Sequence, residues 1–210
     1  MNKVFLFSIT VLLATSLSIS CAAPTPVPTS TPTSEPAIPA HFTTYTEENL
    51  FSISYPPDWE TAMSVIPGLE ESSSELLKDM EFDIPLKEYS MIFFAGRPYE
   101  EVYNPKVNIV VGPALGSTLD EEFEAQLRGI TTNVENYHKF NQIKTTVGGR
   151  EAIIIDHTYT VPGLTPGRLL QMVILVDKVS WSVTVGPFTE EFSSNQETFN
   201  QVIRSLRIYK

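Results

Sequence analysis

The chain has 210 residues, a formal net charge of −11, and 42% hydrophobic against 19% charged residues. That balance is normal for a folded protein and excludes global disorder. The acidic surface repels phosphate backbones and anionic headgroups, which speaks against nucleic acid as a partner and against electrostatic membrane docking.

Cys21 is the only cysteine, so an intramolecular disulfide or a cysteine-rich metal site is ruled out. Its position gives it another meaning. Residues 2–20, NKVFLFSITVLLATSLSIS, carry one early positive charge, an apolar run from Val4 to Ala14, and then small residues. This is the order of a secretory signal, with an apolar core too short to span a bilayer comfortably. The ending SLSISC resembles a bacterial lipobox, which implies cleavage before Cys21 and lipid on its thiol. Ser20 and Ile19 fit that pattern; Ser18 departs, since a branched aliphatic is usual there, and Leu17 sits one place early. The alternative is a plain signal peptide cut after Ala22–Ala23.

Six of the sixteen prolines fall within residues 22–40. Proline removes donors and holds φ, so this Pro/Thr stretch is expected to be a disordered linker extending as polyproline II. At ~3.1 Å per residue it would hold a domain up to about 60 Å from a membrane. Such Thr/Pro stalks also attract O-glycosylation. The expected organisation is a lipoprotein signal peptide over 1–20, the anchor cysteine and linker over 21–40, and one domain over 41–210.

The domain opens with LFSISYPPDWE. Phe51, Ile53 and Tyr55 alternate with Ser52 and Ser54, the period-two sign of a half-buried strand. Pro56 and Pro57 end it, because neither can donate to a ladder. Trp59 is then expected to fold back under the sheet, giving a structural corner; the competing reading is a ligand-stacking tryptophan. Residues 72–80 offer a short helix behind Ser72-Ser-Ser-Glu75. Apolar runs at Met91–Ala95 and Val107–Val111 read as strands. Thr118-Leu-Asp-Glu121 is a capping box that opens a helix with Leu119, Phe123, Leu127 and Ile130 on one face. Further strands are expected at Lys144–Val147, Arg150–Tyr159, Leu169–Val176 and Val179–Val185, turned at Gly148–Gly149 and Asp177–Lys178. Ser194-Asn-Gln-Glu197 reads as a capping box before a closing helix with Phe199, Val202, Ile203 and Leu206. The sum is an α+β domain, an antiparallel β-sheet flanked by helices.

Three stretches, FSISYPPDW, TVGGREAIIIDHTY and FSSNQETFNQVIRSLRI, resemble in order and spacing the opening corner, glycine turn and closing helix of PsbP-like domains. That family includes the extrinsic PsbP protein of photosystem II, Ran-binding import factors and many bacterial lipoproteins. The resemblance spans residues 42–208, with no counterpart for 64–90. It implies an α/β/α sandwich and a scaffold or assembly-factor role exercised by docking. A photosystem role is one branch of that reading.

No nucleotide loop, nucleophile elbow or zinc-protease helix occurs in the sequence. His41, His138 and His157 lie far apart: His41 at the end of the stalk, His138 in an expected loop, His157 on a strand face with Ile153, Ile155 and Tyr159. Adjacent strand residues point to opposite faces, so Asp156 is not placed to orient His157 as in a catalytic triad. A packed histidine with one hydrogen bond is expected. Residues 70–101 hold nine acids against three cations, yet lack the order of a calcium loop. The expectation is therefore a membrane-anchored, extracytoplasmic, non-catalytic protein, without cofactor, catalytic residue or metal ligand. Its expected partners are the bilayer, through Cys21, and another protein. The alternatives are a small-ligand or cation-binding module, using the acidic stretch or a pocket beside Trp59, and a hydrolase built on His157 with a remote serine.

Overall fold

Two sheets and two helices make up the part of the chain that a computed structural model describes: residues 37–61, 90–99, 102–160, 166–186 and 192–209. The signal peptide, Cys21, most of the linker, the helix expected at 72–80 and most of the acidic stretch lie outside these residues.

The small sheet has the order β1–β2–β10, formed by β1 (Thr43–Glu47), β2 (Phe51–Tyr55) and β10 (Arg207–Ile208). The large sheet has seven antiparallel strands: β3 (Glu60–Thr61), β4 (Ser90–Tyr99), β5 (Val102–Pro113), β6 (Glu135–Val147), β7 (Arg150–Thr160), β8 (Gly167–Val176) and β9 (Val179–Gly186). Their spatial order is β3–β4–β5–β9–β8–β7–β6. The two-residue turns behave as their residue types demand. Gly148 and Gly149 have φ of +58° and +78°, and Asp177 and Lys178 have +49° and +66°. Two consecutive left-handed residues match the twist of the flanking strands, which is why these hairpins close without a longer loop.

Helices α1 (Leu119–Asn133) and α2 (Phe192–Arg204) pack on opposite faces of the large sheet. Strand alternation separates two apolar sets. Ala152, Ile154, Leu170, Met172, Ile174, Trp181, Val183 and Val185 point toward α2 and the small sheet, joining Phe51, Phe93, Phe199 and Ile203 in the main core. Ile153, Ile155 and Val173 point the other way and meet Leu119 and Phe123 of α1. Among the described residues each face thus carries a helix, as two-sided burial of β7 and β8 requires.

Trp59 is 6% exposed and belongs to the main core. Its backbone N–H donates to the Pro56 carbonyl at 3.1 Å, so the two prolines stop β2 and the turn swings the indole inward. β3 then starts at Glu60, pairing with Gly96. The corner expected from the sequence is what the chain forms.

Four local expectations need correction. Ser52 and Ser54 are buried, not solvent-facing, because β2 is the central strand of the small sheet and polar partners cap its second face. The Ser205 hydroxyl accepts from the Ser54 N–H at 2.8 Å and faces the Ser54 carbonyl at 3.1 Å, while Ser52 and Tyr209 hydroxyls lie 2.7 Å apart. Ser194 is not an N-cap, since α2 already runs from Phe192. Burial of the Phe192 ring, 5.5 Å from that of Phe199, draws the first turn upstream. The strand expected at 144–147 begins at Glu135 and includes His138. β6 was illegible because its side chains are mostly exposed on both faces, so backbone pairing, rather than an alternating apolar pattern, defines it. His157 departs too: it is fully buried without the hydrogen bond expected of it among the described residues.

Candidate functional site

On the α1 face the chemistry starts at the helix N-terminus, where unpaired backbone donors could serve an anion. Two of the chain's own carboxylates occupy that end. The Glu122 carboxylate, fully buried, accepts from the N–H groups of Leu115 and Gly116, and Glu121 accepts from those of Ser117 and Thr118. Thr118 caps the Glu121 N–H at 3.2 Å, which completes the expected capping box. Below it, Gln126 donates to Glu122 at 2.8 Å and to the Ser180 hydroxyl at 2.7 Å. Gln171 donates to Ser182 at 3.0 Å. This polar seam explains why the serines of β9 are covered rather than solvated. Beside it lies a shallow surface depression, lined by Phe123, Leu127, Ile130, Ile155, Gln171 and Val173 with Gln126. It is mainly apolar, and it is not beside Trp59.

His157 lies on the same face and is fully buried. Its ring meets Tyr137 at 5.7 Å and Tyr159 at 5.3 Å between centroids, both edge-on. Neither ring nitrogen has a hydrogen-bond partner among the described residues, and the buried Tyr137 hydroxyl has none either. The single hydrogen bond expected for a packed histidine is therefore missing. Two tyrosine rings pack perpendicular to the imidazole where a polar partner was expected. Burial lowers its pKa to about 4, only partly opposed by Asp156. Burial likewise raises the Tyr159 phenol, and burial followed by Glu124 raises that of Tyr137.

Asp156 faces the opposite layer, as strand geometry requires. It accepts two hydrogen bonds from Arg168, at 2.9 and 2.8 Å, a forked ion pair. The same guanidinium lies 4.1 Å from the centroid of Phe140 and 4.4 Å from that of Phe192. Phe140 is the extra residue of a β6 bulge, between the Lys139–His157 and Asn141–Asp156 pairs. It is 49% exposed and packs edge-on to His138. Sequence reading missed this cluster, because a bulge aims a side chain without leaving a periodic signal. It also missed Lys106, whose amine burial lowers to about 8.

The expected site residues stay apart. His41 packs edge-on against Phe42, His138 sits on exposed β6, and His157 is enclosed. No three potential metal ligands cluster among the described residues. Cys21 lies outside them.

The architecture is PsbP-like: α+β, with helices on a seven-stranded antiparallel sheet beside a small one. The solution structure of cyanobacterial PsbP (CyanoP) from Synechocystis sp. PCC 6803 is similar with a TM-score of 0.51 at 11% identity, over 81% of this chain and 94% of that one. LpqN, involved in cell envelope biogenesis of Mycobacterium tuberculosis, gives 0.49 at 12% identity, over 80% and 91%. At 11% identity the likeness to CyanoP speaks of fold alone. No family model and no curated protein matches the chain.

Proposed function

We propose that this is a lipid-anchored extracytoplasmic protein whose PsbP-like domain works by docking to another protein, as a scaffold or assembly factor. The observation that carries the reading is where the polar side chains go. Glu122 holds backbone amides, Asp156 holds Arg168, Gln126 and Gln171 hold the β9 serines, and His157 is sealed among aromatic rings. A nucleophile, base and oxyanion donor must converge on one accessible point for acyl-transfer chemistry. These groups point into the protein at separate places instead. The PsbP-like fold and the lipobox-like SLSISC support the same reading, one by analogy of architecture and the other by the chemistry of Cys21.

The test is in-cell crosslinking of the mature protein followed by mass spectrometry, against an unrelated domain on the same tether. A partner enriched over that control supports the reading; recovery of the same background from both overturns it. For the anchor, Cys21→Ser should release the domain or leave its precursor uncleaved. Unchanged membrane association and processing would refute lipidation at that residue.

A further inference from the structure

The least settled group in the described residues is His157, and its surroundings suggest a use. We propose that His157 is an acid-operated latch: a proton added to its imidazole frees the Glu135–Phe140 end of the β6 edge strand from β7, while the rest of the sheet stays paired. The inference does not depend on the docking role.

The geometry carries three parts of this. First, the closed state suits only a neutral ring. An imidazolium needs acceptors at both nitrogens, and neither nitrogen has one among the described residues, where the rings of Tyr137 and Tyr159 pack perpendicular to it. Asp156 is next in sequence but projects to the other face, where Arg168 occupies both carboxylate oxygens. Second, the lid over the ring is weakly held. Tyr137 reaches His157 from β6, which is the outermost strand of the large sheet among the described residues. Tyr137 lies inside the register shift between Glu135 and His138, next to Asn136 with φ of +53°, and a second shift follows between Lys139 and Asn141. Five of the six side chains from Glu135 to Phe140 are exposed, Tyr137 being the exception. An edge segment with little buried area opens at low cost. Third, the adjoining segment is not built that way: Asn141–Val147 pairs with Arg150–Asp156 in unbroken register, with Ile143 and Val147 against the main core.

The charges around the ring set the direction of the effect. On its own face, Lys139 is its register partner on β6 and Leu169 its partner on β8. Lys139 adds repulsion once the ring is charged. Glu124 of α1 acts on the Tyr137 phenol. Asp156 and Arg168 are held to each other on the far face, and His138 projects to that far face from exposed β6.

In the closed state the imidazole takes a proton only near pH 4, whereas opened to water it does so near ~6.5. The closed form is therefore fully favoured above about pH 6.5 and loses ground as the pH falls toward 4. Between pH 7.5 and 5 the opening equilibrium should rise about 30-fold.

Amide hydrogen exchange on the whole chain in detergent reads this directly, as protection factors corrected for the intrinsic rate. The expected result is a fall of about 30-fold at Glu135–Phe140 between pH 7.5 and 5, with β8 and β9 unchanged. His157→Phe should abolish the fall; should that variant not fold, His157→Gln gives the same reading. Tyr137→Phe and His138→Gln should keep it. Protection that stays constant, drops equally in β8 and β9, or responds to pH without His157 would overturn the latch.

Discussion

Replacing Trp59 with alanine separates a structural corner from a ligand platform, because the two predict different sizes of effect. The indole is 6% exposed and packs in the main core, at the point where the Pro56 turn hands the chain to β3. Removing a buried tryptophan side chain costs about 3–5 kcal/mol, from lost transfer energy and the cavity left behind. For a domain of this size that is a melting-point drop on the order of 10 °C. A surface ring kept for stacking a ligand would cost within about 0.5 kcal/mol. Urea unfolding followed through Trp181, itself buried in the core, measures the difference, with an unchanged m-value showing that the same surface is exposed. Trp59→Phe should recover more than half of the loss, since most of the aromatic volume returns. A Trp59→Ala variant as stable as the parent would refute the corner and return the residue to the list of binding groups.

The remaining predictions concern backbone and polar satisfaction. Gly149→Ala should cost about 1 kcal/mol for its positive φ, since nothing crowds a new Cβ there. Gly148→Ala should cost clearly more in the same unfolding assay, because its Cβ would stand 2.8 Å from the Leu206 carbonyl; the reverse order would refute the turn geometry. Ser205→Ala removes the acceptor of the buried Ser54 N–H and should destabilise by about 1–3 kcal/mol in thermal or chemical melts. A neutral result would mean that Ser54 finds another partner. Thr118→Ala should cost about 1 kcal/mol, visible also as fraying of the first turn of α1 by amide exchange.

Legibility in the sequence followed the physics of each signal. The alternation in VSWSVTV and the glycine pair before REAIII were readable because burial on a sheet and left-handed turns impose local residue choices. The Thr118 capping box was readable for the same reason: cap and donor are three residues apart. Ser194 shows the limit of that logic, since an identical pattern sits inside a helix whose start is drawn upstream by Phe192. β6 shows another, since a strand held by ladder bonds leaves no apolar rhythm. The site residues divide the same way. That Asp156 and His157 face opposite layers follows from strand geometry alone, whereas Arg168 for one and the Tyr137 ring for the other come from neighbouring strands brought together by folding.

From the order of its residues alone, this protein has an α+β domain with a tryptophan corner, antiparallel hairpins and a capped helix, all of them outcomes of interactions within a few positions of the chain. Tertiary structure decided which polar groups are satisfied and which are not: Ser54 meets Ser205 across 151 positions, while His157 meets no acceptor among the described residues. The reason is that desolvation depends on what covers a side chain, and the cover is supplied by segments remote in sequence.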